Sequence, residues 1–107
     1  MSLPNMETMM LPLLKILGDQ QEHSRSEVID ILAHQFDVSE VERELKIANG
    51  QGKFDNLTYW VRAHFIQEEV IENLENSHFR ITAKGLRILK SNPPSIDLKF
   101  LREFPDE

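Results

Sequence analysis

The sequence predicts a mainly helical domain with a small β-hairpin, a winged helix-turn-helix, and three observations carry that expectation. Apolar residues recur at helical spacing through the segments ahead of residue 68. Two Ser-x-x-Glu boxes, at Ser24–Glu27 and Ser39–Glu42, mark helix starts. One stretch, from Val70 to Thr82, instead alternates around a polar turn, as a hairpin with one buried face does. Helices, a longer helix after a loop, a hairpin and a closing helix follow in the order of a winged helix-turn-helix.

In residues 6–17, Met6, Met9, Met10, Leu13, Leu14 and Leu17 form the stripe of a helix buried on one side, and Gly18 stops it. The first capping box opens a second helix with Val28, Ile29, Leu32, Ala33 and Phe36 inward. The second box opens a short third helix, ending near Leu45 or Ile47 before the Asn49-Gly50-Gln51-Gly52 breaker. From Lys53 to about Gln67, Phe54, Leu57, Trp60, Val61 and Phe65 lie on one side of a fourth helix. Val70, Ile71 and Leu74, the turn Glu75-Asn76-Ser77, then Phe79 and Ile81 make the hairpin. Thr82 caps a last helix from Ala83 to Lys90 with Leu86 and Leu89 inward. Residues 1–92 are thus read as the domain. Past Pro93-Pro94, residues 93–107 are a docked tail or a linker toward a further domain.

The core expected from this pattern is Leu13, Leu14, Leu17, Ile29, Leu32, Phe36, Leu57, Trp60, Val61, Phe65, Phe79, Ile81, Leu86 and Leu89. At 107 residues the chain has room for one such core. It has no cysteine, which excludes disulfides, thiolate metal sites and cysteine nucleophiles and fits a reducing, cytoplasmic setting. The longest apolar run, Met9 to Leu14, falls far short of the roughly 20 residues that span a bilayer, so no membrane partner is expected. Glu7 interrupts the apolar start, which is unlike a signal peptide; whether Met1-Ser2-Leu3 is native is not legible.

A net charge of −6 opposes nucleic-acid binding at first sight, because cations supply much of that affinity. Distribution matters more than the total. Residues 77–90 hold Arg80, Lys84, Arg87 and Lys90 beside His78 and no acid, which is either a phosphate-binding stripe or a solvated face. Opposite the apolar stripe of the fourth helix stand Asn56, Tyr59 and Ala63, flanked by Asp55 and Arg62. Asn and Arg are the side chains that read adenine and guanine edges. Asn56 equally suits a structural bond to the preceding loop, and Tyr59 an ordinary exposed position. Trp60, at the stripe edge, is expected in the core rather than stacked on a base.

Four strings in order resemble one family: Leu11-Pro12-Leu13-Leu14-Lys15, Phe54-Asp55-Asn56 with Trp60, Phe79-Arg80-Ile81-Thr82-Ala83-Lys84-Gly85, and Asp97-Leu98-Lys99-Phe100-Leu101. Together they are similar to the N-terminal domain of Mrr-type restriction system proteins, over nearly the whole chain. The resemblance implies a DNA-binding module ahead of a metal-dependent endonuclease domain that attacks modified DNA. Two departures lower the positive charge near the supposed DNA face. Leu57 stands where the family usually has Arg, and Glu68-Glu69-Val70 replaces an Ala-Gly-Leu approach to the wing.

The family's nuclease chemistry uses an Asp with a Glu-x-Lys or Asp-x-Lys triplet on adjacent strands. Glu44-Leu45-Lys46, with Asp30 upstream, and Asp97-Leu98-Lys99 imitate the triplet without that setting. No His-x-x-x-His pair or Gly-rich phosphate loop occurs. The sequence is therefore read as a non-catalytic module needing no metal and no cofactor. Its expected partners are double-stranded DNA, a nuclease domain in cis and, as an open case, a second copy in a homodimer. The candidate contacts are Lys53, Arg80 and Lys84 on the backbone with His78 nearby, and Asn56, Tyr59 and Arg62 in the major groove. The competing readings are a winged-helix protein-interaction or dimerisation module and a small transcriptional regulator.

Overall fold

The computed structural model describes residues 4–44 and 52–106. Helix α1, Met6–Ile16, opens on Asn5, whose side chain accepts from Thr8 N–H at 2.8 Å, and runs into a 3₁₀ turn at Leu17–Asp19. Strand β1, His23–Ser24, leads directly into α2, Arg25–Gln35. Here the expected capping box is present. Ser24 Oγ accepts from Glu27 N–H at 3.1 Å and Glu27 Oε1 accepts from Ser24 N–H at 3.4 Å. The second box is also formed, at 3.0 and 3.1 Å between Ser39 and Glu42, and starts α3, Glu40–Glu44. The expected end of that helix and the turn through Asn49, Gly50 and Gln51 lie outside the described residues.

Helix α4, Lys53–Gln67, matches the expected span. Its C-terminus is closed by Val70 N–H to Phe65 O at 2.8 Å and Glu69 N–H to Ile66 O at 3.0 Å. This is a Schellman turn, and it holds Glu69 in the left-handed region at φ 62°. Strands β2, Ile71–Asn73, and β3, His78–Ile81, form the hairpin, with Asn76 and Ser77 left-handed at its tip. Strand β1 adds an edge the alternation does not reveal, since two residues are too few to show a period. The sheet is antiparallel in the order β1-β3-β2, with His23 opposite Phe79 and Glu72 opposite Arg80.

Thr82 caps α5, Ala83–Lys90, through Gly85 N–H to Thr82 Oγ1 at 3.2 Å. Gly85 is where this helix meets the sheet. A Cβ there would stand 2.5 Å from Val70 O and from Ile81 Cγ1. Ile88 is the fully buried residue of α5, while Leu86 and Leu89, expected inward, pack at the core's margin. After the double proline the chain docks as α6, Leu98–Glu103, capped by Asp97. Ile96 and Leu101 enter the same core as α1, and Leu98 N–H donates to Glu7 Oε2 at 3.0 Å.

The buried set is led by Met9, Met10, Leu13, Leu14, Leu17, Leu32, Phe54, Val61, Phe65 and Phe79. One expected core residue is misplaced. Trp60 is 48% exposed, because the α1-facing side of α4 is filled by Phe54, Thr58, Val61 and Phe65. Thr58 can sit there because its hydroxyl donates to Asp55 O at 2.8 Å. No helix among the described residues is long and apolar enough to cross a membrane. The result is a mainly helical domain with a small three-stranded antiparallel sheet, compatible with a winged helix.

Candidate nucleic-acid interface

Helix α4 displays Lys53 at its first turn, then Asn56, Tyr59, Ala63 and Ile66 at three- and four-residue spacing, one line along one face. Lys53, Tyr59 and Ile66 are exposed; Asn56 and Ala63 are half-buried. A shallow groove of about 340 Å³ runs between this line and the hairpin, bounded by Tyr59, Arg62, Ala63, Ile66 and Asn73. Trp60 stands beside it, edge-to-face on Tyr59 at 5.4 Å between centroids and 6.3 Å from the His64 ring. The loop to which the structural reading ties Asn56 lies outside the described residues.

Arg62 is the most constrained of the expected contacts. Its guanidinium carbon lies 5.8 Å from the Tyr59 centroid and 5.5 Å from that of Phe79, within cation–π reach of both rings. Its Nε is buried without a hydrogen-bond partner among the described residues. Burial, and then the neighbouring charge of Arg25, push the Arg62 guanidinium below its ordinary range. The expectation placed Arg62 on the flank of α4; the structure turns it toward the root of the wing.

The basic stripe of residues 77–90 is a different matter. Arg80 donates through Nε and Nη2 to Glu72 Oε1, at 3.1 and 2.6 Å, directly across the β2–β3 pair. Lys84, expected beside Arg80 on the phosphate side, is only 7% exposed. Its Nζ donates to Glu68 O at 3.0 Å and to Asp106 Oδ1 at 2.8 Å. Lys84 thereby ties α5 to Glu68, the C-cap residue of α4, and a buried ammonium needs such partners. The hydrogen bond and charge of Lys84 hold the Asp106 carboxyl below its usual range. Arg87 donates to Pro105 O at 2.9 Å and lies 6.0 Å from the Phe104 centroid. His78 is half-buried, its Nδ1 2.9 Å from Asn76 O within the wing turn.

The fold therefore gathers Lys53, Asn56, Tyr59 and Arg62 on α4 and joins them to β3 through Phe79. It leaves Arg80 neutralised on the central strand of the sheet and buries Lys84. Arg25, absent from the expected set, is an exposed residue at the start of α2 whose charge is felt by Arg62.

The family model described as the Mrr N-terminal domain matches residues 7–91. The chain belongs to the Mrr N-terminal domain family. That places it with Mrr restriction systems, as the four sequence strings imply, and the matched span ends one residue past α5. Neither curated proteins nor solved structures give a significant match. Beyond the matched span, Asp97 of the second nuclease-like triplet serves as a helix cap, accepting from Phe100 N–H at 2.8 Å. In the first triplet, Glu44 ends α3 while Leu45 and Lys46 lie outside the described residues. Among the described residues, no group of three or more His, Asp or Glu side chains is placed to hold a metal ion.

Proposed function

We propose that this chain is a non-catalytic module that binds double-stranded DNA through the exposed face of α4 and the adjoining root of the wing, presenting it to a separate metal-dependent endonuclease domain. The observation that supports it most is the composition of that face. Lys53, Asn56, Tyr59 and Arg62 line one side of a helix beside a hairpin, where hydrogen-bonding side chains and a small residue, Ala63, allow close approach to base edges. Membership of the Mrr N-terminal domain family supplies the restriction context. On this reading Asn56 and Tyr59 meet the groove while Lys53 and Arg62 meet the backbone, and Lys84 takes no part.

The test is a titration of labelled duplexes, methylated and unmethylated, followed by fluorescence anisotropy at several salt concentrations. Binding should weaken with salt at a log-log slope of roughly −2 to −3, from two or three phosphate contacts at about −0.9 each. No saturable binding at low salt would defeat the reading. One observation favours a second: Tyr59 (46% exposed), Trp60, Ile66 and, on α3, Val41 leave an apolar and aromatic surface uncovered. A protein-interaction or dimerisation role would then lead, and a light-scattering mass of two chains lost in Trp60→Ala would establish it.

A further inference from the structure

The wing contributes to the α4 groove one side chain that the sequence does not single out, Asn73. Alternate strand residues share a face, so in β2 Asn73 lies on the side where Ile71 is buried. The register sets Asn73 opposite Phe79, the residue whose ring centroid lies 5.5 Å from the Arg62 guanidinium carbon. Arg62 thus reaches from α4 to the strand position that carries Asn73, and the two line one groove with Tyr59, Ala63 and Ile66. That lining is of two kinds. Arg62 brings a guanidinium from the helix and Asn73 an amide from the strand, while Ala63 and Ile66 bring only carbon. Among the described residues no carboxylate lines the groove, in a chain with 18 acids against 12 bases. Arg43, Arg80 and Lys84 are each matched to an acid, Asp30, Glu72 and Asp106. Arg62 forms no ion pair among the described residues, and its buried Nε–H meets no acceptor, which is uncommon for a buried donor.

A ligand complementary to this lining carries an anion at one end and carbon at the other. A guanidinium fork matches carboxylate and phosphate oxygens alike. Donors that reach from two walls, helix and strand, suit a tetrahedral phosphate, whose oxygens point in several directions, better than a planar carboxylate with one edge. A phosphate joined to a deoxyribose ring also has carbons to lay on Ala63, on the exposed Ile66 and along the Tyr59 ring. We propose that the groove between α4 and β2 binds one sugar-phosphate unit, with Arg62 and Asn73 on the phosphate oxygens and Tyr59, Ala63 and Ile66 beside the sugar. This deepens the DNA reading and rests on it for the source of the unit, the backbone of the duplex. Asn73 is then a contact made by the wing to the backbone, and the apolar end of α4 has a ligand of its own.

The experiment uses the full chain labelled with ¹⁵N, following the Arg62 Nε–Hε and Asn73 side-chain amide signals. Deoxyribose phosphate should shift both saturably, inorganic phosphate should do so several-fold more weakly, and Asn73→Ala should weaken the Arg62 response. No saturable shift, equal affinity for the two phosphates, or a shift that acetate reproduces at equal ionic strength overturns the site. Arg62 packs on Phe79, so Arg62→Ala risks the fold; Asn73 is exposed at a strand end, and Asn73→Ala keeps the test intact, with an unchanged Tm as its check. With a short duplex, Asn73→Ala should weaken every sequence alike by roughly tenfold, the loss of one hydrogen bond to a charged group, and leave the salt slope unchanged because asparagine carries no charge. A loss confined to some sequences would make Asn73 a reader of base edges, and an unaltered affinity would take the groove off the duplex; either outcome overturns the proposal. Deoxyribose phosphate bound without duplex binding would uphold the site and defeat the DNA reading.

Discussion

At the end of β3 and along α5, Arg80, Lys84 and Arg87 are each bound to the chain's own acceptors. On the groove side of α4, Lys53 is exposed and Arg62 forms no ion pair among the described residues. The first region holds the denser positive charge in sequence and the second the available charge in space. Counting cations along a chain therefore finds where they are made, and strand register and tail docking decide which of them remain free. The two regions also differ in tightness. One is interlocked with the tail and the sheet, and the other opens onto a groove.

The sharpest test of that difference in tightness is Gly85→Ala. The new Cβ would meet a backbone carbonyl, Val70 O, at 2.5 Å, and that contact cannot be relieved by a rotamer. Overpacking of this kind costs about 3 kcal/mol. Thermal unfolding should show a Tm lower by many degrees, whereas Ala63→Ser, in the open groove, should leave Tm nearly unchanged. Equal Tm values for the two variants would erase the contrast.

Lys84→Met separates a structural cation from a binding one. The Glu68 carbonyl would lose its donor and Asp106 its partner, at a cost of about 1–2 kcal/mol, with no change in DNA affinity. Lys53→Ala should do the reverse. Urea denaturation beside the anisotropy titration reads both, and weaker DNA binding in Lys84→Met at unchanged salt slope and stability would put Lys84 back on the interface.

How far these assignments were legible follows from what each depends on. Both capping boxes, the bounds of α4 and the hairpin were readable, because they are local hydrogen bonds and periods written into neighbouring residues. The fate of Lys84 was not, since its partners are 16 and 22 residues away. Trp60 was misread for a related reason. It sits at a stripe edge, and Thr58, polar by type, takes the inward place by bonding within the helix. Glu69 shows a local signal overridden. It occupies the left-handed position of the Schellman turn, where the family's Ala-Gly-Leu supplies glycine. Glu69→Gly should therefore stabilise the domain by about 1 kcal/mol, seen as a higher urea midpoint at unchanged m-value, and a lower midpoint would show that the Glu69 side chain holds the turn.

A smaller effect tests β1, the strand that leads into α2. His23 is buried between Asp19, 2.9 Å from Nε2, and Glu27, 3.1 Å from Nδ1 in poor alignment for a hydrogen bond. Burial alone would push the imidazole down; the two carboxylates outweigh it and raise it above its ordinary value. A raised folded-state value means His23 contributes stability fully below about pH 6.5, its unfolded value, and loses it as pH rises through the folded one. Tm should thus fall with rising pH across that window, and the fall should flatten in His23→Gln. Both carboxylates are half-exposed, so the effect is modest. A wild-type Tm that rises through the same window would reverse the assignment.

The smallest expected change in stability carries the finest distinction between the two regions. Glu72 and Arg80 are directly opposed on β2 and β3 and each is nearly half exposed, so Glu72→Gln should cost less than about 0.5 kcal/mol. It would, however, leave Arg80 uncommitted on the central strand, one strand position beyond the Phe79 that Arg62 approaches. If wing and α4 contact the same duplex, the freed guanidinium adds one phosphate contact. Affinity at low salt should then rise by a few-fold, and the salt slope should steepen by about 0.9. The measurement is the anisotropy titration repeated at two salt concentrations, with Glu72→Gln/Arg80→Ala as the control that should return to the wild-type slope. A steeper slope absent from the double variant would place the wing on the duplex and make Glu72 a brake on binding. An unchanged slope would confine the contact to α4.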